Sequence, residues 1–102
     1  MTPEVSHPMR WPAAWRAVVD PAERDALLAQ LNVEIPAGHV LYGKALGVIA
    51  RRDDSDDVVV SLDDGRFAEI HLTWAPRPDL SAAFPSATLY ASFTEWKVAA
   101  AD

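Results

Sequence analysis

The chain has 102 residues, a formal charge of −6 and no cysteine, and half of its residues are hydrophobic. That length suits one domain around one modest core, and the missing cysteine excludes disulfide scaffolds, thiolate catalysis and sulfur-ligated zinc. No apolar run approaches the roughly 20 residues of a membrane helix, and an acidic surface repels phosphate backbones, so neither membrane nor nucleic acid is an expected partner.

Residues 1–10 hold Pro3 and Pro8 and no hydrophobic stretch of signal type, so a loose arm on a cytoplasmic protein is expected. "WPAAWRAVVD" reads as a short helix: Pro12 suits the first turn, and Trp11, Trp15, Val18 and Val19 fall near one face. A second helix signal follows, with Asp20 as N-cap, Pro21 as first residue and Glu23 at the capping-box position. Ala26, Leu27, Leu28 and Leu31 make its apolar stripe, Asn32 is a plausible terminator, and Pro36 blocks continuation.

From Lys44 the hydrophobic period changes to two. "KALGVIARR", "DVVVSLDD" and "RFAEIHLTW" predict three strands of a β-meander. A proline-punctuated loop, "APRPDLSAAFPS", leads to "ATLY", a short candidate fourth strand. Ser92 and Glu95 then form a second capping-box pattern, opening a helix that runs to about Ala100. The expected fold is α+β: a three- to four-stranded antiparallel meander with N-terminal helices and a C-terminal helix packed on one face, all in a single domain spanning 1–102.

The stretch "RRDDSDDVVVSLDDG", residues 51–65, carries six aspartates. Read as a calcium loop from Asp53, its ligand positions are Asp53, Ser55, Asp57, Ser61 and Asp64, but Val58 stands where the loop must turn on glycine. If 57–62 is extended, Asp53 and Asp64 lie roughly 20 Å apart and cannot share an ion. A hairpin fits better. "DDG" closes a three-residue loop with Gly65 in the left-handed position, which pairs Leu62 with Arg66, Val60 with Ala68, Val58 with Ile70 and Asp57 with His71. One face then carries Val58, Val60, Leu62, Ala68, Ile70, Leu72 and Trp74 as core; the other carries Asp57, Val59, Ser61, Phe67, Glu69, His71 and Thr73. The turn at the opposite end, "DDSDD", holds more charge than a turn requires.

His71 with Asp57 opposite, and Glu69 on the same strand face, are the candidate catalytic residues. Ser61 is not a cross-strand partner of His71, so a nucleophilic triad is not in register. A metal site on Glu69 and His71 would need His39 or His7 as a third ligand, and no local spacing supplies it. His39 reads more simply as a loop residue bonded to backbone. Neither a metal nor a cofactor is expected.

Four tryptophans need homes. Trp74 and Trp96 lie on faces expected to be buried, whereas Trp11 and Trp15 sit near the terminus and, with Phe67 and Val59 on the outer sheet face, are candidates for meeting a partner.

"HVLYG", "ARRDDSDDVVVSLDDG", "AEIHLTW" and "YASFTEW", standing in this order, resemble a group of small bacterial proteins of undefined function over about residues 35–98. The resemblance implies a compact α+β domain and no assigned activity, and it draws attention to Arg51, Arg52, Asp53, Asp56, Asp57, His71 and Trp74.

Residues 1–50 carry a net charge of −1 and residues 51–102 a net of −5. The expected function is therefore a non-catalytic acidic module that binds a basic protein, in one version as an immunity or antitoxin protein. Its contact residues would be Asp53, Asp54, Asp56, Asp57, Phe67, Trp11 and Trp15. The competing expectations are a small metal-dependent or His/acid enzyme on the outer sheet face, using His71 with Glu69 or Asp57, and a homodimer through the Trp11/Trp15 segment or a free sheet edge.

Overall fold

A computed structural model describes residues 11–101; the expected arm at 1–10, with His7, lies outside the described residues. The elements in chain order are β1 (Trp15–Ala17), α1 (Pro21–Glu34), β2 (Leu46–Arg52), β3 (Asp57–Leu62), β4 (Phe67–His71), β5 (Ala87–Tyr90) and α2 (Phe93–Ala100). The strands form one antiparallel sheet in the order β1-β2-β3-β4-β5. The class is α+β, with five strands in place of the expected three or four. "ATLY" does pair, setting Tyr90 opposite Phe67.

The other added strand is a correction. Trp15–Ala17 was expected to be helical and is instead the edge strand β1, registered Trp15 with Arg52 and Ala17 with Ala50. The chain enters it through a turn in which the Trp15 amide donates to Pro12 O at 3.0 Å and Ala14 takes a positive φ of 72°. Its side chains alternate. Trp15 is buried among aromatics, while Arg16 reaches the other way to Glu23. Three residues of alternation are too few to compete, in sequence, with the four-residue spacing of two tryptophans.

Asp20 caps α1 as expected, accepting from the Ala22 amide at 3.0 Å, and Pro21 is its first residue. Glu23 does not close a capping box on Asp20. Its carboxylate takes two bonds from Arg16, at 2.9 and 2.7 Å, and one from Arg51 at 3.0 Å. These bonds, those from Arg16 first, hold the Glu23 carboxyl down at about 2. One acid thereby offsets two arginines that face each other across β1 and β2. The helix passes Asn32 and runs to Glu34, because Leu31 and Ile35 bury and Glu34 finds donors beyond the helix.

The β3–β4 hairpin has the expected register, Asp57 with His71, Val58 with Ile70 and Val60 with Ala68. Gly65 takes the left-handed position at φ 90°. Gly47 serves a different need: a Cβ there would stand 2.7 Å from Ser61 Oγ on the neighbouring strand. A bulge between Val48 and Ala50 shifts the β2–β3 pairing.

The sheet is buried on both faces, not on one. Val48, Val58, Val60, Leu62, Ala68, Ile70 and Leu72 pack beneath Leu27 and Leu31 of α1. On the opposite face Val59 and Ala50 pack with Trp15 and Trp96, and α2 covers them. The expectation that helices share one face is thus corrected. Residues 57–71 looked half polar on that second side because its apolar cover comes from distant segments.

Candidate functional site

The aspartates of the β2–β3 turn lie together, and each has a partner within the chain. Asp53 accepts from Arg16 Nε at 2.9 Å, and its amide donates to Ala14 O at 2.8 Å. Asp54 pairs with Arg52. Asp57 accepts from His71 Nδ1 at 2.6 Å, and Asp56 accepts from the Trp74 indole N–H at 3.1 Å. The turn's charge therefore does have structural work: it ties down β1, the start of β3 and the chain after β4. Arginines balance Asp53 and Asp54, whereas Asp56 meets only a neutral indole.

Trp74 is a second correction. Expected in the core, it is 46% exposed. The strand stops at His71, Leu72 still points into the core, and at Trp74 the backbone crosses to a positive φ of 60°. Glu34 imposes this ending. Its carboxylate, on a residue only 2% exposed, accepts from the Thr73 amide at 2.9 Å, Thr73 Oγ1 at 2.8 Å, the Trp74 amide at 2.7 Å and Gln30 Nε2 at 2.7 Å. Burial pushes the Glu34 carboxyl up, but the bonds from Gln30, Thr73 and Trp74 outweigh it and leave the net shift downward. A buried carboxylate without a cation is stable only when its lone pairs are filled in this way. Gln30 Nε2 also donates to Ala75 O at 2.8 Å, extending the clamp by one residue.

The candidate catalytic trio meets on the second face. Asp57 and His71 are cross-strand partners, and Glu69 accepts from the Trp96 indole N–H at 2.9 Å. Burial raises the Glu69 carboxyl, Trp96 offsets part of that rise, and Asp57 beside it adds to it. A carboxylate bonded to one imidazole nitrogen fixes the ring's orientation and leaves the other nitrogen free, which is the arrangement a general base uses. Ser61 stays outside this group, donating to Gly47 O at 3.3 Å. Among the described residues no set of three His, Asp or Glu side chains could hold a metal ion, and no pocket opens.

Trp15 pairs through its backbone with Arg52, next to the acidic turn, but the side chains of Trp11, Trp15 and Phe67 pack together on the second sheet face. They belong to the aromatic cluster under α2: Trp15 stands edge-on to Trp96 at 4.9 Å, Trp11 to Phe93 at 5.6 Å, and Phe67 tilts against Phe93 at 5.6 Å. Trp15 is 6% exposed, so the pair of tryptophans expected at the surface is partly exchanged with the pair expected inside. Trp96 is fully buried, as its helix face suggested. His39 is buried too. Its Nε2–H donates to Pro85 O at 2.7 Å and its Nδ1 accepts from the Leu41 amide at 3.0 Å, which joins two long loops.

Sequence reasoning missed Glu34 and the outward placement of Trp74. One signal for Glu34 was available: it is a lone acid in "LNVEIP", between apolar neighbours at a helix end. Comparison with protein-family models, with curated proteins and with solved structures finds no match. The resemblance to small bacterial proteins accordingly carries no residue role into this chain.

Proposed function

We propose that the protein is a non-catalytic interaction module that meets a basic protein partner through the β2–β3 turn. The observation that supports this reading is the local excess of carboxylate: Asp53, Asp54, Asp56 and Asp57 share one end of the sheet, and Arg16 and Arg52 answer only the first two directly. Such a surface speeds encounter with a cationic partner and orients it on approach. Neutralisation of a basic enzyme such as a nuclease, in the manner of an immunity or antitoxin protein, is one specific form of this reading. The test is capture of partners by the wild type beside a variant with all four aspartates changed to Asn, followed by association kinetics across a salt series. A basic partner whose association slows steeply with salt, and slows less in the variant, supports the reading. Kinetics unchanged by the four substitutions remove the turn from the account.

One observation favours a second reading, catalysis by His71. Asp57 bonds its Nδ1 at 2.6 Å, and Glu69, whose carboxyl burial raises, lies on the same strand face, so an oriented imidazole stands in a group of two carboxyls. Hydrolase screening of wild type against His71→Ala separates the two readings, since a binding module loses no turnover in that variant.

A further inference from the structure

Three features converge on Trp74. The residue is 46% exposed although tryptophan is the largest apolar side chain available for burial. Its backbone is held at φ 60° by the buried Glu34 carboxylate, which takes both its own amide and that of Thr73. The edge of its indole is tied to Asp56 Oδ1 at 3.1 Å. A loosely exposed tryptophan would show none of this bracing. Here the peptide before the ring and the edge of the ring are both anchored, which limits its rotation while it stays half open to solvent.

The charge around the ring decides what it fits. The face of an indole is the negative side of its quadrupole, and a carboxylate at its edge adds full charge of the same sign. A planar guanidinium suits both at once, since it stacks on the aromatic face and donates through its fork to a carboxylate. An ammonium is compact and more strongly hydrated, so it gains less from the stack. An apolar side chain would have to strip water from Asp56 without replacing its bonds.

We propose that Trp74 and Asp56 form a seat for an arginine side chain of the basic partner. The inference rests on the interaction reading above and deepens it: the acidic turn supplies attraction at a distance, and this pair selects arginine over lysine on contact. Asp56 Oδ2, which takes no part in the indole bond, is the oxygen offered to the guanidinium.

The test uses the intact protein with labelled hexa-arginine and hexa-lysine peptides at low ionic strength, followed by fluorescence anisotropy. The wild type is expected to favour hexa-arginine by about tenfold. Trp74→Ala should abolish that preference, and Trp74→Phe, which keeps a π face, should retain part of it. Titrating hexa-arginine into isotope-labelled wild type should move the Trp74 indole N–H resonance and leave that of the buried Trp96 in place. Equal binding of the two peptides, or an unmoved Trp74 indole during binding, overturns the seat and leaves the acidic reading standing. Binding of neither peptide overturns both.

Discussion

Glu34 shows how much one residue can organise. At a helix C-terminus a carboxylate faces the negative end of the dipole, and burial adds a desolvation cost. Its four hydrogen bonds offset both and set where β4 ends. Glu34→Gln presents a single acceptor oxygen and turns an NH₂ group toward donors. It should destabilise the fold by about 1–3 kcal/mol in urea denaturation, with little change in the m-value. Glu69 behaves in the opposite sense, because burial raises its carboxyl above the ordinary value. A raised acid contributes its full stability below the unfolded value and loses it as pH rises through the folded one. Glu69→Gln keeps an oxygen for Trp96 and removes the charge, so its Tm should equal or exceed that of the wild type at pH 7. The difference should close as pH is lowered past the usual carboxyl range.

At the scale of elements, α2 is the least self-sufficient piece. Eight residues do not hold a helix in water, even with Ser92 accepting from the Glu95 amide at 3.1 Å. Its docking depends on Trp96, fully buried against Trp15 and bonded to Glu69. Trp96→Ala should cost about 3–5 kcal/mol and expose the second sheet face, read as lower Tm together with increased binding of a hydrophobic dye. The β3–β4 hairpin is the contrary case. Its register was legible because "DDG" sets the turn chemistry, and because a slip by one residue would send Val58, Val60 and Ile70 to the other side. The extent of β1 was not legible, since its alternation is three residues long and its pairing partner lies more than thirty residues away.

For the whole molecule, β3 is the common wall of two cores. Val58 and Val60 face α1 while Val59, fully buried, faces Trp15 and Trp96. Amide exchange should therefore be slowest in β3, close to the limit set by global unfolding, and fast through the exposed 76–84 segment. Exchange in β3 as fast as in β5 would show that the two cores open separately.

Local chemistry settled what local sequence can express. The helix start at Asp20–Pro21, the Gly65 turn, the hairpin register and the α2 cap each depend on residues within a few positions of one another, where sterics and capping bonds act directly. The acidic turn was visible for the same reason, as a composition of six aspartates in fifteen residues. Tertiary structure alone decided which face each tryptophan occupies, that the second sheet face has its own helix, and that the turn's aspartates are bonded to Arg16, Arg52, His71 and Trp74. Those outcomes join residues from distant parts of the chain. They follow from burial and from the need to satisfy buried polar groups, which no local window of sequence can weigh.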